Sequence, residues 1–242
     1  MDFRLEAWQL DLTDISNKLK SKKELKDLDA NFIKSRILEY LSKNKVDLDN
    51  ERGKSYRLMF KYLRKKLREI YGSFRVIKET RDLEVYRKIF NEFKPKSVLD
   101  LGCGLEPLKY TTIYPKLEYY CFDIDKEEIS RLNDFFKKNK INGRAFLFSL
   151  VDNNLDELPK VDLCLILRVL EGLESIKKNF SLELLSKIKA KFMVVSFAKI
   201  ALGKKERIRK AGRSWFRRIL RELNYSYEVL DYDDEIFFII KK

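Results

Sequence analysis

Two glycines and four acidic residues in the middle of the chain are the side chains best placed for chemistry. Asp100, Gly102 and Gly104 lie in the stretch SVLDLGCG, where a short apolar run ends on an acid and a glycine turn. Glycine lacks a Cβ atom, so it adopts positive φ angles and lets a ligand approach the backbone closely. A strand that leads through such a turn into a helix can hold a phosphate, a dinucleotide or another nucleoside.

The residues that follow the turn exclude two of these ligands. A phosphate-binding P-loop would end in Gly-Lys-Ser or Gly-Lys-Thr, and no such run is present. A dinucleotide-binding turn would place its third glycine at position 107, where this chain has Pro107. What remains is the pattern acid-x-Gly-x-Gly.

The other acidic residues follow the next two predicted strands. Asp123 and Asp125, in the stretch CFDID, stand about 20 residues beyond the glycines, where an acid can accept hydrogen bonds from both hydroxyls of a ribose. Asp152 follows the third strand and is placed to accept from the exocyclic amine of adenine. Each acid alone could be a helix cap or a turn former, but their order along the chain favours a nucleoside site.

The acid and glycine pattern resembles the first motif of the class I S-adenosylmethionine-dependent methyltransferases. The resemblance implies that S-adenosylmethionine is the cofactor and that the Asp100 carboxylate meets its ammonium group. A fourth strand, in the stretch VDLCLILRVLEGLES, then leads to the sheet edge at which a substrate enters.

The residue types that the chain lacks narrow the choice of methyl acceptor. The chain has no histidine, which excludes Ser-His and Cys-His catalysis and argues against a zinc site. The stretch ILRVLEGLE lacks the Asn/Asp-Pro-Pro-aromatic loop usual in amino-group methylation of bases, and Cys103 lies inside the glycine turn, which suits packing rather than nucleophilic attack. A ring nitrogen such as guanine N7 already carries a lone pair, so its methylation needs in-line placement and no protein base.

Several blocks together are similar to one narrower family: LDLGCGLEPL, YYCFDID, LILRVLEGLE, VVSFAKIALGKKE, SWF and EIFFIIKK. Over residues 75 to 242 they resemble the small-subunit rRNA guanine-N7 methyltransferases known from aminoglycoside resistance. The resemblance implies methylation of a guanine N7 in the decoding region, with the small ribosomal subunit as partner. Arg168 stands where the family tends to carry lysine and Ala198 where it carries proline, which leaves the target nucleotide and a resistance phenotype open.

The resemblance also implies roles for single residues. Arg81, with Lys78 in reserve, would grip the methionine carboxylate of the cofactor. Arg168, Trp215 and Phe216 would lie near the substrate, although a buried aromatic pair is an equal alternative for the last two. No catalytic base is expected. The cofactor-binding candidates are Arg81, Asp100, Gly102, Gly104, Asp123, Asp125, Asp152 and Leu167.

The elements that must position these residues fall into two regions. Residues 1–94 show helical spacing, as in DANFIKSRILEYLSKN and SYRLMFKYLRKKLREIYG, with Leu38 on the predicted interior face and Gly72 as a helix stop. In residues 95–242 short apolar runs alternate with helical segments, which predicts an α/β Rossmann-like methyltransferase domain with a mostly parallel sheet. The last two runs, YSYEVLDY and EIFFIIKK, have hairpin spacing and predict an antiparallel edge.

Positive charge is concentrated in two segments, within a net charge of +14. Fourteen basic residues face six acidic ones between residues 51 and 95, and ten face one between 199 and 221. This distribution predicts a polyanionic partner, most simply RNA, although a solvated basic surface would look the same. The RNA-binding candidates are Arg57, Lys61, Arg64, Lys65, Arg68, Lys204, Lys205, Arg207, Arg209, Lys210 and Arg213.

The remaining expectations concern the setting and the rival functions. No apolar run reaches the length of a membrane span and the N-terminus is acidic, so we expect a cytoplasmic monomer without a metal site. Two alternatives to the rRNA enzyme stay open. One is a methyltransferase of tRNA or another RNA, and the other is a catalytically silent RNA-binding relative.

Overall fold

The computed structural model describes residues 3–75, 81–199, 213–232 and 234–242. Within these ranges the chain has the α/β architecture that the sequence predicts. The helices are α1 Phe3–Lys20, α2 Ala30–Lys43, α3 Lys54–Arg75, α4 Leu83–Phe93, α5 Pro107–Tyr110, α6 Lys126–Lys138, α7 Leu170–Ile176, α8 Phe180–Lys187 and α9 Ser214–Glu222. The strands are β1 Ser97–Leu101, β2 Glu118–Asp123, β3 Gly143–Leu147, β4 Val161–Leu167, β5 Ala190–Ala198, β6 Ser226–Asp231 and β7 Glu235–Lys241.

The described strands form one seven-stranded sheet with the order β3-β2-β1-β4-β5-β7-β6. Strands β1 to β5 run parallel to one another, and β7 runs antiparallel to both β5 and β6. The mostly parallel sheet and its antiparallel C-terminal hairpin are therefore confirmed. In such a sheet ligands bind beyond the carboxyl ends of the strands where the strand order reverses, and here that point lies between β1 and β4.

Both faces of the sheet are covered because successive residues of a strand point to opposite sides. In β1, Leu99 and Leu101 join a core that includes residues of α8 and α9, while Val98 joins a second core with residues of α4 and α6. The strands in the middle of the sheet accordingly read as nearly continuous apolar runs, as parallel strands buried on both faces do.

Helices α1, α2 and α3 form a bundle with an apolar core of its own, centred on residues such as Leu19, Ile33 and Leu67. Two local predictions in this region are wrong. Leu38 is 48% exposed instead of buried. Helix α3 continues past Gly72 to Arg75, because one glycine in a helix interior costs only about 1 kcal/mol. The boundary after residue 94 stays a prediction, and α4 packs with the sheet rather than with the bundle.

The bundle is attached to loops at the carboxyl edge of the parallel strands. The Asp29 N–H donates to the Ile124 carbonyl at 3.1 Å, and the Lys126 N–H donates to the Asp27 carbonyl at 3.0 Å. On α3, Lys66 Nζ donates to the Ser175 carbonyl at 3.2 Å. The bundle thus contacts the connections that follow β2 and β4. Among the described helices, none is long and apolar enough to cross a membrane.

Candidate functional site

The glycine turn after β1 presents one glycine to the protein and one to open space. Gly102 has a φ of +68°, and a Cβ atom built there would lie 2.6 Å from Val169 Cγ2. Gly104 has a φ of +51°, and among the residues that the structure describes a Cβ atom there would meet only Glu128 Oε2, at 3.8 Å. Both backbone conformations favour glycine. Gly102 is needed for packing against Val169, whereas Gly104 leaves room in which a ligand can reach the backbone.

Hydrogen bonds hold this turn against the end of β2. The N–H groups of Gly102 and Cys103 donate to the Phe122 carbonyl at 2.8 and 3.2 Å. The Gly104 N–H donates to Asp123 Oδ2 at 2.9 Å. The structure therefore brings the glycine turn and the Asp123 carboxylate together, as the sequence predicts.

Asp123 and Asp125, the two alternatives for a ribose contact, have different local roles. Asp123 Oδ1 accepts from the N–H groups of Ile124 and Asp125 at 2.7 and 3.1 Å, and burial raises its pKa while the surrounding N–H groups oppose that rise. Asp125 caps α6, accepting from the N–H groups of Glu127 and Glu128 through Oδ1. Asp125 is 1% exposed, whereas Asp123 is partly exposed, so the geometry favours Asp123 as the residue that faces a ligand.

Asp100 lies beneath the turn and is almost fully buried. Its Oδ2 accepts a hydrogen bond of 2.7 Å from the Tyr110 hydroxyl. Burial raises the pKa of Asp100 to about 7, against the opposing effects of Tyr110 and of the Arg81 guanidinium. A carboxyl group with this pKa gains its charge readily when a cation approaches, which is the property expected of a partner for an ammonium group.

Asp152 and Leu167 lie at the ends of two other connections. Asp152 Oδ2 accepts from the Ser149 hydroxyl at 2.6 Å, and Asp152 Oδ1 accepts from Arg36 of α2 at 2.7 Å. Leu167 is the buried last residue of β4 and pairs with Ser196 of β5. Asp152 is therefore held by two protein donors, one of them from the helical bundle.

Arg81 is engaged in a buried ion pair that the sequence did not reveal. Its Nε and Nη2 donate to Glu235 at distances of 2.9 to 3.1 Å, and its Nη1 donates to the Tyr86 hydroxyl at 3.4 Å. That hydroxyl donates in turn to Glu106 at 3.1 Å. The proposed contact of Arg81 with a methionine carboxylate must therefore be made from a guanidinium that Glu235 already anchors. Lys78, its reserve, lies outside the described residues.

Glu235 pairs with Arg168 as well as with Arg81. Arg168 has a φ of +58° immediately after β4, and its Nη2 lies 3.0 Å from Glu235 and 2.9 Å from Asp234. The Ser196 hydroxyl also donates to Glu235. The sequence did contain a signal for this ion pair: the apolar run EIFFIIKK begins with a glutamate. A charged residue in a buried strand is rare unless an opposite charge pairs with it.

The segment around α9 corrects two predictions. Phe216 is fully buried and packs against Phe197 and Phe238, so the buried alternative holds for this ring. Trp215 is only partly buried. Arg213 is not available to a phosphate: it is buried, its Nη2 donates to the Ala198 carbonyl at 2.9 Å, and it lies 3.0 Å from Glu171. A run of like charges conceals which member turns inward.

The basic candidates on α3 line one groove in the helical bundle. The groove has a volume of about 850 Å³ and is walled by α1, α3 and the connections beside them. Arg64 lies over the Phe60 ring at 5.3 Å and donates to the Lys18 carbonyl at 3.4 Å. The predicted candidates Lys204, Lys205, Arg207, Arg209 and Lys210 lie outside the described residues. The groove residues are Lys18, Ser21, Lys22, Glu51, Tyr56, Arg57, Phe60, Lys61, Arg64, Lys65 and Arg68.

Comparisons with known proteins agree on one group. A family model described as Ribosomal RNA methyltransferase (FmrO) matches residues 65–222. A curated protein of Micromonospora echinospora, named 16S rRNA (guanine(1405)-N(7))-methyltransferase, is 26% identical over 164 residues, which are 66% of this chain and 59% of that protein. The chain thus matches less than two thirds of the length of this curated relative.

Two solved structures share the fold. The 16S rRNA methylase RmtB has a TM-score of 0.75 at 18% identity, over 96% of this chain and 98% of its own. The 16S rRNA methyltransferase RmtF, in complex with S-adenosyl-L-homocysteine, has a TM-score of 0.74 at 20% identity, over 100% of this chain and 99% of its own. Both likenesses extend through the helical bundle as well as the sheet.

Proposed function

We propose a function on the ground that this chain belongs to the FmrO family of ribosomal RNA methyltransferases. The chain transfers a methyl group from S-adenosylmethionine to N7 of a guanine in small-subunit rRNA. The relative from Micromonospora echinospora carries that activity in its name, and RmtF was solved with the demethylated cofactor. The observation that carries the proposal is the turn at Gly104, which faces open space and donates to Asp123.

The residues at this turn fit a nucleoside bearing an amino acid. Gly104 admits the ligand to the backbone, and Asp123 Oδ2 can accept from ribose hydroxyls while the turn holds it in place. Asp100 supplies a carboxyl group that becomes charged as an ammonium group approaches. Bound there, S-adenosylmethionine supplies a methyl group on a cationic sulfur, which is the electrophile for the guanine nitrogen.

On the acceptor side, the site has to hold the guanine in line with the methyl group, and it does not have to remove a proton. Guanine N7 offers a lone pair without losing a proton, so the absence of histidine is no obstacle. Arg168 stands directly after β4, and Glu235 and Asp234 hold its guanidinium. We assign it a place beside the target base, with the partly buried Trp215 as a second contact. Phe216 supports Trp215 from the core.

The groove on the helical bundle supplies the contact with the rRNA backbone. Arg57 and Lys61 are exposed on its wall, and the Phe60 ring lies between the cationic residues. Lysine and arginine side chains in such a groove neutralise phosphates and release condensed counterions. The assembled small subunit is therefore the proposed partner, and its surface would be recognised by the bundle while the sheet edge receives one nucleotide.

The direct test is methyl transfer to purified small ribosomal subunits with radiolabelled S-adenosylmethionine. Methylation at N7 gives the base a positive charge, so rRNA treated with borohydride and aniline should break at one new site. An Asp123→Ala variant serves as the control in which both label and cleavage should be lost. Radiolabel without cleavage would contradict the N7 assignment.

Two further measurements separate the rival functions. Free tRNA added as a competing methyl acceptor should remain unlabelled, and its preferential labelling would favour a tRNA enzyme. Calorimetry with S-adenosylhomocysteine should give a binding isotherm. No binding up to millimolar ligand would favour a silent RNA-binding relative.

A further inference from the structure

One ion pair joins the helical bundle to the cofactor side of the sheet. Arg36 Nη2 on α2 donates to Asp152 Oδ1 at 2.7 Å, across 116 positions of sequence. The Arg36 side chain is 11% exposed and the Asp152 side chain is 21% exposed. A charge-assisted hydrogen bond of this length is directional and stronger than a neutral one. It acts on a residue that we expect to face the adenine.

The Arg36 guanidinium is held by its own helix before it meets Asp152. The Ser35 hydroxyl accepts from its Nε and Nη2 at 3.3 and 3.2 Å, Glu39 lies 3.5 Å from its Nη1, and the guanidinium lies 5.4 Å from the centre of the Phe32 ring. A long side chain fixed in this way loses little further conformational freedom when it pairs. The arginine is therefore pre-organised for its contact with Asp152.

Helix α2 is also fixed to the connection that follows Asp123. The residue before it, Asp29, caps the helix by accepting from the N–H groups of Asn31 and Phe32, and its own N–H donates to the Ile124 carbonyl. Ile124 follows Asp123 directly in the chain. One helix thus reaches the two loops that carry the proposed ribose and adenine acids.

We propose that Arg36 is a positioning residue of the cofactor site, which orients the Asp152 carboxylate toward the amino group of adenine. The inference rests on the proposed function, because it assumes an adenosyl ligand at this edge of the sheet. A carboxylate accepts about four hydrogen bonds, so Asp152 can receive the amine while Arg36 and Ser149 each donate to one oxygen. The helical bundle then completes the cofactor site in addition to contacting RNA.

The test compares two ligands that differ only at the group that Asp152 would receive. S-adenosylhomocysteine carries the adenine amine, and S-inosylhomocysteine carries an oxygen in its place. Calorimetry should show that Arg36→Met weakens S-adenosylhomocysteine binding about tenfold while the inosyl ligand changes less than twofold. Methionine keeps an unbranched apolar stem over the Phe32 ring, and Arg36→Lys, which keeps the charge, should restore part of the affinity.

The matched control is Lys191→Met at the opposite, amino-terminal edge of the parallel strands, since Lys191 forms an ion pair with Asp162 at 2.7 Å. It should leave the affinity for both ligands unchanged. In an Asp152→Ala background, Arg36→Met should cause no further loss, because the arginine acts through that carboxylate.

Three results would overturn the inference. They are equal weakening of both ligands by Arg36→Met, no weakening of either, and a full additional loss in the Asp152→Ala background. Failure of the unaltered chain to bind S-adenosylhomocysteine would instead overturn the proposed function, and the inference with it.

Discussion

Removal of the Glu235 carboxylate should be among the most destabilising single substitutions in the sheet. Glu235 is 2% exposed and receives donors from Arg81, Arg168 and Ser196. In Glu235→Ala the Arg81 side chain, itself 4% exposed, loses the carboxylate to which its Nε and Nη2 donate. Breaking a buried ion pair from one side costs about 3–5 kcal/mol. We expect a loss of this size in the free energy of unfolding.

Guanidinium-induced unfolding, followed by circular dichroism, measures this loss as a lower midpoint at an unchanged slope. Asp156→Ala is the matched control, because Asp156 forms a solvent-exposed ion pair with Lys187, and such pairs contribute little to stability. The double variant Arg81→Met, Glu235→Ala should regain part of the stability, since it removes both buried charges. If Glu235→Ala lies within about 1 kcal/mol of the unaltered chain, the buried network does not form as described.

Three further predictions follow from the site. Gly104→Ala should abolish binding of S-adenosylhomocysteine in calorimetry, and the positive φ at this position should lower the free energy of unfolding by about 1–2 kcal/mol. Gly102→Ala should lower it further, because the added Cβ atom would also meet Val169. A greater loss of stability in Gly104→Ala than in Gly102→Ala would contradict the assignment of open space to Gly104. Asp100 keeps its proton up to about pH 7 in the fold but loses it near 3.8 when unfolded, so the unfolded chain binds fewer protons between these values and stability should fall as pH rises through them. Between pH 5 and pH 7.5 the fall in unfolding free energy should be on the order of 2–3 kcal/mol, and it should be missing in Asp100→Asn. Arg57→Gln and Lys61→Gln should each reduce the slope of log affinity for rRNA against log salt by about 1, while Lys43→Met leaves it unchanged; an unaltered slope in both groove variants would exclude the groove as a phosphate contact.

The features that were best predicted from the sequence are the strands, the glycine turn and the face of α3 that carries the basic residues. Period-two and apolar patterns located the strands, and the fixed spacing of a glycine turn after β1 placed Asp123 beside Gly104, because both lie at the carboxyl edge of neighbouring parallel strands. Helical periodicity placed the basic residues of α3 on one face. These features depend on residues within a single element, or on the ends of two neighbouring strands.

What the sequence did not predict depends on partners far along the chain. Glu235 meets Arg81 across 154 positions, and Arg36 meets Asp152 across 116, with no local pattern to announce either pair. Arg213 was grouped with its basic neighbours, but its position at the start of α9 turns it onto Phe197 and Glu171. Net charge counts residues without regard to direction, so it cannot separate a buried guanidinium from an exposed one.

The contact between Gly102 and Val169 has a consequence for how related chains can diverge. Val169 directly follows Arg168, so a single side chain forms the wall between the turn proposed for the methyl donor and the strand end proposed for the acceptor. A larger residue at position 102 would need a smaller residue at 169 and would still be strained by the positive φ. We therefore expect position 102 to remain glycine among homologues and position 169 to stay no larger than valine. A larger residue 169, introduced to reshape the acceptor pocket, would also disturb the turn proposed to bind the methyl donor.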